Sequence, residues 1–473
     1  MKYYFTLVLL CWVCCLSAQT KNRTINRFLQ TEGFENASIG LCVMNSSGKV
    51  VWAYNRNTAL TPASILKVVT TATALEILGE NYRYPTTLAA AGDTLFIIGS
   101  GDPTLGSQFL NASSTAFLDK CLPKIQKNLP QLSTIIIDES CFGEEGLSER
   151  WIRQDIGSYY APASYGISIF DDTYRLHLNT QKTDSAGHPE IMEMQPKIPQ
   201  LKFHNRLTIN RSRQGNAYIF NNPMSFDAVL SGDLPAGKAD FVLKGAIPDP
   251  GQILGGLLSD TLQKIGYSAP VIQTIITANK NIKSQYKAFY TYYSPKLNDI
   301  IRVINEQSNN HYSEHLIRTL GKSSSDTTLA AGITSVKKLW KQRRFDTQGL
   351  FMFDGSGLSP SNAVSPDLMC RILHYMQSES QYRKSFIASL PQAGKEGSVS
   401  NVLKNKRLKG KLVMKSGSIM GVQCFAGYYI KGAEIRSFAV MVNRFTCSRQ
   451  ETVAAIEKLL LGILPKNFEK GKR

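Results

Sequence analysis

The chain has 473 residues, 43% of them hydrophobic and 19% charged, an ordinary globular composition that excludes a disordered protein and leaves length for two or three domains. Its 54 Lys and Arg against 36 Asp and Glu give a formal charge of +18. No segment after the N-terminus approaches 18 uncharged apolar residues in a row, so no internal membrane span is expected.

The chain opens MKYYFTLVLLCWVCCLSAQT, in which one lysine precedes an uncharged run from Tyr3 to Leu16 and the small residues Ser17 and Ala18 follow. That is the pattern of a secretory signal peptide, residues 1–18, cut after Ala18. Cys11, Cys14 and Cys15 lack the small preceding residue of a lipidated cysteine, so a soluble exported product is expected in the periplasm or cell envelope. In that compartment the basic excess, part of it in the tail KNFEKGKR, points to anionic wall polymer or a membrane surface and away from nucleic acid. Six cysteines remain after the signal: Cys42, Cys121, Cys141, Cys370, Cys424 and Cys447. Cys121 and Cys141 are the first candidates for a disulfide, and buried free thiols are the open alternative.

Next, NRTINRFLQ reads as a short helix, and SIGLCVMNSSGKVVWAYN as two strands joined by a polar turn from Asn45 to Lys49. In TPASILKVVTTATALEILG, Ile65, Val68, Val69, Ala72 and Leu75 recur at helical spacing between Pro62 and Gly79. From about residue 86 to 284 the signals become short strands such as DTLFIIG, STIIID, YRLHL, RLTINR and ADFVLKG, with only GQILGGLLSDTLQKIG clearly helical. A helix follows at NHYSEHLIRTLG with Leu316, Ile317 and Leu320 facing inward. Near the end FAGYYI and SFAVMVN are strands flanking the turn KGAEIR, and QETVAAIEKLLLGIL is an amphipathic helix. Strands at both ends predict one sheet built from residues 19–85 and 285–473. Residues 86–284 then form a β-rich insertion, expected as two small domains.

Ser64 and Lys67 lie three apart at the start of the first long helix, on one face. A serine hydroxyl needs a base to become a nucleophile, and a lysine whose pKa is lowered by burial can be that base. Ser308 and Asn310 stand at the head of a second helix, where a hydroxyl can pass a proton and an amide can hold a carbonyl. Lys415, Ser416 and Gly417 end a short apolar run, where an ammonium and a hydroxyl suit a carboxylate and a glycine admits a substrate backbone. The NH groups of Ser418 and Ser64 could then form an oxyanion hole. Each element alone is weak, but SxxK, SxN and K[ST]G in this order form the set used by β-lactamases and penicillin-binding proteins. A competing pattern overlaps the second element: HYSEH fits a zinc-peptidase motif with His311 and His315 as ligands and Glu314 as base, although no third ligand is identifiable. A non-catalytic wall-binding scaffold is a further alternative, opposed by intact Ser64, Lys67, Ser308, Asn310 and Lys415.

The matching stretches extend beyond these residues to PASILKVVTTATALEILGENYRY, GSGDPTL, YYSPKLNDIIRVINEQSNNHYSEHLIRTLG, DGSGLSPSNAVSP, SLPQAGKEGSV and KSGSIMGVQCFAGYY. On them the chain resembles the D-alanyl-D-alanine carboxypeptidases/endopeptidases of the penicillin-binding protein 4 type, peptidase family S13. The resemblance implies an α/β fold, a penicillin-recognising serine transpeptidase/β-lactamase-like domain, split by a large insertion between SxxK and SxN. It implies Ser64 as the acylated nucleophile, Lys67 as its base, Ser308 and Asn310 in proton transfer and positioning, and Lys415, Ser416 and Gly417 on the substrate carboxylate and backbone. Asp155 falls where the family has an acidic residue for the amino group of the stem peptide; an exposed structural aspartate is the alternative. Peptidoglycan peptides are the implied substrate and β-lactams the covalent inhibitors, with no metal or organic cofactor. Where the family often has SDN and KTG this chain has Asn309 and Ser416, and Gln307 stands where a lysine is frequent. DGSGLSP is expected to be a structural loop near the site, and Glu314 matches a glutamate of the family's helix.

Overall fold

The protein was analysed as a computed structural model that describes residues 23–110, 113–211, 215–277, 286–321 and 328–465. The expected signal peptide and the basic tail lie outside the described residues.

Both ends of the chain meet in one antiparallel sheet of order β16-β17-β18-β1-β2, with strands Leu412–Ile419 (β16), Val422–Lys431 (β17), Glu434–Asn443 (β18), Ser38–Met44 (β1) and Val50–Tyr54 (β2). β18 pairs with β1 from Ser38 opposite Asn443 to Met44 opposite Ser437. Because strand side chains alternate, Cys42, Met44, Ala439 and Met441 face one helical layer, and Leu41, Val43, Phe438 and Val440 face the other. The second layer is the segment around Phe28 and the C-terminal helix Arg449–Ile463; the first holds helices Leu66–Leu78, Leu297–Gln307, Asn310–Gly321, Leu329–Gln342 and Pro366–Ser378. A sheet covered on both faces explains why its inner strands read as continuous apolar runs.

The helix expected from the spacing of Ile65, Val68, Val69, Ala72 and Leu75 is Leu66–Leu78, and every residue from Leu66 to Leu75 is buried. It is a core helix, and its threonines bond inside the core; Thr73 Oγ1 donates to Val69 O at 2.7 Å and accepts from Trp340 Nε1 at 2.9 Å. Its start differs from the expectation, because Ser64 sits on the preceding 3-10 turn Ala63–Ile65.

Between the two halves, Pro85–Ala91 (β3), Thr94–Ile98 (β4), Thr134–Asp138 (β5), Val271–Ile275 (β12) and Lys287–Tyr293 (β13) form a sheet of order β12-β5-β4-β3-β13. β13 runs antiparallel to β3, so the chain enters and leaves this region on adjacent strands. Two three-stranded sheets, β11-β6-β7 and β8-β10-β9, complete it, with β6 at Thr173–Thr183, β7 at Pro189–Gln195, β8 at Lys202–Asn210, β9 at Asn216–Asn221, β10 at Asp227–Pro235 and β11 at Phe241–Ala246. Helix Ala116–Asn128 was not expected: Pro123 in its interior interrupts a pattern in which Phe117, Leu118, Cys121 and Ile125 point inward. Cys121 and Cys141 are thiols and not bridged to one another, which corrects their candidate disulfide in favour of the alternative. Cys121 lies in the apolar core, and burial pushes its thiol up to about 12. No helix among the described residues is long and apolar enough to cross a membrane.

Trp340 ties helix Leu329–Gln342 to the core helix through Thr73 and stacks on Phe345 with ring centroids 5.6 Å apart. Trp340→Ala is expected to lower stability by about 3–5 kcal/mol, read as a fall in the urea midpoint of tryptophan-independent circular dichroism.

Candidate active site

Ser64 is held at the mouth of the core helix by a strained turn. Ala63, a non-glycine residue, has φ 46°, and Asn443 at the end of β18 anchors the chain just before it, donating to Thr61 O at 3.0 Å and accepting from Thr61 N at 2.8 Å. Lys67, one turn on and fully buried, donates to Ser64 Oγ at 3.0 Å, Asn310 Oδ1 at 2.6 Å and Ser356 O at 2.7 Å. Burial lowers its pKa to about 7, against the opposing pull of Asp354 and Glu314. Once neutral, the amine can spend its hydrogens on Asn310 and Ser356 and turn its lone pair to the Ser64 hydroxyl.

Ser308 caps helix Leu297–Gln307 in the left-handed region at φ 57°, a conformation that costs a serine energy and is kept by its surroundings. Its Oγ accepts from Lys415 Nζ at 2.8 Å. Asn309 Oδ1 accepts from Tyr312 N at 2.9 Å, as an N-cap does for helix Asn310–Gly321. Asn310 then spans the site, with its Nδ2 donating to Tyr160 O at 2.8 Å.

Lys415 is buried on edge strand β16 and also donates to Ser416 O at 2.7 Å. Burial, reinforced by Lys67, holds its pKa well below the ordinary lysine range. Gly417 is small for a reason beyond substrate access. A Cβ there would lie 2.4 Å from Pro62 O and 2.9 Å from Ser64 N, so the strand edge rests directly on the nucleophile turn. Ser416 Oγ lies 3.4 Å from Ser398 Oγ, and Ser418 is exposed, with its Oγ accepting from Arg449 Nε at 3.2 Å.

The loop DGSGLSP supplies the third acceptor of Lys67, as its expected place near the site requires. Asp354 accepts from Gly357 N at 2.8 Å, Ser359 N at 2.6 Å, Asn362 Nδ2 at 2.8 Å and Trp151 Nε1 at 3.0 Å. Glu314, buried, accepts from Gly355 N at 3.1 Å and Ser356 N at 2.8 Å, which aims the Ser356 carbonyl at Lys67. Burial and Asp354 push the Glu314 carboxyl up. Its carboxylate is thus engaged by the loop, while His311 bonds Ser168 and His315 bonds Gly101. A base between two metal-bound histidines, as the zinc-peptidase pattern needs, is not what this helix presents.

Asp155 is half-buried and accepts from Tyr160 OH at 3.0 Å, so it stands two residues' bonds from Asn310. Burial raises its pKa, and the tyrosine bond opposes that. The structure therefore brings Ser64, Lys67, Ser308, Asn310 and the Lys415–Ser418 edge together, with Asp155 bonded to the tyrosine whose carbonyl receives the Asn310 amide. Sequence reading passed over the carbonyls of Ser356 and Tyr160, which no side-chain pattern can reveal. It also passed over Arg449, whose signal was a basic residue opening the last helix.

The family model described as D-Ala-D-Ala carboxypeptidase 3 (S13) family matches residues 21–461. The D-alanyl-D-alanine carboxypeptidase of Actinomadura sp. (strain R39) is 25% identical over 427 residues, covering 85% of this chain and 77% of that protein. The D-alanyl-D-alanine carboxypeptidase DacB of Haemophilus influenzae is 22% identical over 444 residues, covering 88% of each. The crystal structure of penicillin binding protein 4 from Haemophilus influenzae matches at a TM-score of 0.81 and 19% identity, over 94% of this chain and 99% of that one. The same protein complexed with a β-lactam matches at 0.74.

Gly357, at φ 82°, lets the loop touch the nucleophile turn, since a Cβ there would stand 2.0 Å from Ala63 O. Gly357→Ala is expected to displace Ser356 O and Ser64 and to slow acylation of Ser64 by a reactive acyl probe about 100-fold, measured by intact-protein mass spectrometry against time.

Proposed function

Since the chain belongs to the D-Ala-D-Ala carboxypeptidase 3 (S13) family, we propose that it acts as a serine-type D-Ala-D-Ala carboxypeptidase and/or endopeptidase on peptidoglycan stem peptides, through an acyl-enzyme on Ser64. The observation that carries this reading is the amine of Lys67 shared between Ser64 Oγ and Asn310 Oδ1, with Lys415 on Ser308 across the same mouth.

Neutral Lys67 takes the proton as Ser64 Oγ attacks the carbonyl of the penultimate D-alanine. The backbone NH groups of Ser64 and Ser418 receive the developing oxyanion. The proton that Lys67 took returns through Ser308, bonded to Lys415, to the departing amine, which is the terminal D-alanine or a cross-linked side chain. Asn310 orients the substrate amide, Lys415 and Ser416 hold its carboxylate, and the Gly417 edge accepts its backbone. Water then cleaves the ester and regenerates Ser64. Asp155, at the rim, fits the amino group of the stem-peptide side chain. β-Lactams enter the same path and stop at the acyl-enzyme.

The region expected at 86–284, with β3 and β13 at its neck, is proposed to be an insertion into the hydrolase domain. Export is proposed from residues 1–18, and the charge of +18 supports peripheral attraction to anionic wall polymer or a membrane surface.

Ser64→Ala is expected to abolish labelling by a fluorescent penicillin and to abolish release of D-alanine from muropeptides followed by mass spectrometry; retained release would overturn the assignment. A second expectation concerns pH. Since burial places the Lys67 pKa at about 7, the neutral base is present above that value and lost as pH falls through it. Acylation kcat/KM should therefore fall about tenfold per unit below pH 7 and level off above it. A flat profile from pH 5 to 8 contradicts Lys67 as base.

A further inference from the structure

Helix Asn310–Gly321 turns a second polar face toward the inserted region. His311 and His315, one turn apart, meet edge to face with ring centroids 4.4 Å apart. Asp172 reaches them from the 3-10 turn Phe170–Asp172 that leads into β6. His311 Nε2 stands 3.7 Å from Asp172 Oδ2, and one ring nitrogen of each histidine and one oxygen of Asp172 all lie within 4.8 Å of one another.

The three side chains are 0%, 3% and 0% exposed for Asp172, His311 and His315, yet Asp172 Oδ2, His311 Nδ1 and His315 Nε2 have no hydrogen-bond partner among the described residues. A buried polar atom left unpaired costs about 1–3 kcal/mol, so three in one cluster call for something that satisfies them together. His315 Nδ1 meets Gly101 O at 3.0 Å, and a carbonyl can only accept. Nδ1 therefore carries the hydrogen, and Nε2 turns a bare lone pair into the cluster. A backbone carbonyl on the far ring nitrogen is how metal-bound histidines are held. Asp249 and Glu139 stand close to Asp172, and Glu139 carries two more buried oxygens without a hydrogen-bond partner among the described residues.

We propose that Asp172, His311 and His315 form a structural divalent-metal site, fitted to Zn2+, which clamps the inserted region to the helix that begins at Asn310. Two imidazole nitrogens and a carboxylate oxygen are ligands zinc takes, and tetrahedral bonds of about 2.0–2.1 Å space ligand atoms by roughly 3.3 Å. His311 Nε2, 3.7 Å from Asp172 Oδ2, also lies 2.8 Å from Ser168 Oγ, so metal binding exchanges that bond and draws together ligand atoms that now lie within 4.8 Å of one another. The metal has no part in the chemistry at Ser64. It holds the helix whose first residue contacts Lys67, which distinguishes it from the metallopeptidase reading of HYSEH.

The test is metal content of the full chain, purified from zinc-supplemented cells and measured by inductively coupled plasma mass spectrometry. Wild type and the surface control His204→Gln should each hold about one zinc per chain, while Asp172→Asn and His311→Gln should retain less than roughly a tenth. Protein produced with cobalt should show the visible d–d bands of a four- or five-coordinate ion, absent in Asp172→Asn. Wild type that labels with penicillin, and so is folded, but holds no metal would overturn the site and leave the Ser64 reading intact. Metal content unchanged in both variants would equally overturn it. If one variant fails to fold, the other and the wild-type cobalt spectrum still decide.

Discussion

The site depends on putting a lysine amine where water cannot reach it. Burying Lys67 removes its hydration, and an amine so placed persists only if every hydrogen finds an acceptor. The acceptors come from far apart in the chain: Ser64 from the preceding turn, Asn310 at a sequence distance of 243, and Ser356 at 289. Hence the fold must bring the head of the core helix, the cap of helix Asn310–Gly321 and the Asp354 loop to one point. Two buried carboxylates, Glu314 and Asp354, organise that loop from opposite sides. The same burial that demands these partners moves the amine into the range where it can accept a proton near neutrality.

Strain sits beside both serines. Ala63 and Ser308 hold positive φ without being glycine, and each is kept there by bonds it does not itself make. Asn443 fixes the segment before Ala63, and Asn309 fixes the helix start after Ser308. Preorganisation of this kind trades local stability for two serine side chains whose positions are fixed in advance. The Gly417 edge and Gly357 press on the nucleophile turn from two sides, so the serine has little room to move.

Much of this was legible in the residues, and the remainder has physical reasons for being hidden. The sheet made from both chain ends could be read because β1, β17 and β18 are strongly apolar and lie next to unmistakable turns. The three motif elements pointed to Ser64, Lys67, Ser308, Asn310 and Lys415, which the fold brings into contact, because side-chain patterns are visible in a sequence. Ser356 O and Tyr160 O were invisible because backbone carbonyls carry no sequence signature. Helix Ala116–Asn128 was masked by Pro123, a strong local breaker that tertiary packing tolerates here. That Leu66–Leu78 is buried all round was hidden because its threonines count as polar in a pattern but bond inside the core.

The segment between β3 and β13 also packs on these residues. Tyr160 receives the Asn310 amide, Trp151 bonds Asp354, and Ser148 Oγ donates to Phe353 O at 2.6 Å, so this segment holds both the helix at Asn310 and the loop behind Lys67. Helix Asn310–Gly321 is where these demands converge, and it is buried from His311 to Gly321 although it is rich in polar residues. Each polar side chain has its own direction. Asn310 meets Lys67 and Tyr160, Ser313 and Glu314 hold the loop, and Tyr312 bonds Asp171 and Ser107. His311 and His315 turn to the segment between β3 and β13 as well. A helix that must satisfy the buried amine, the loop and that segment at once cannot be apolar, and this is why HYSEH looks like a metal motif in sequence while its glutamate serves the serine site.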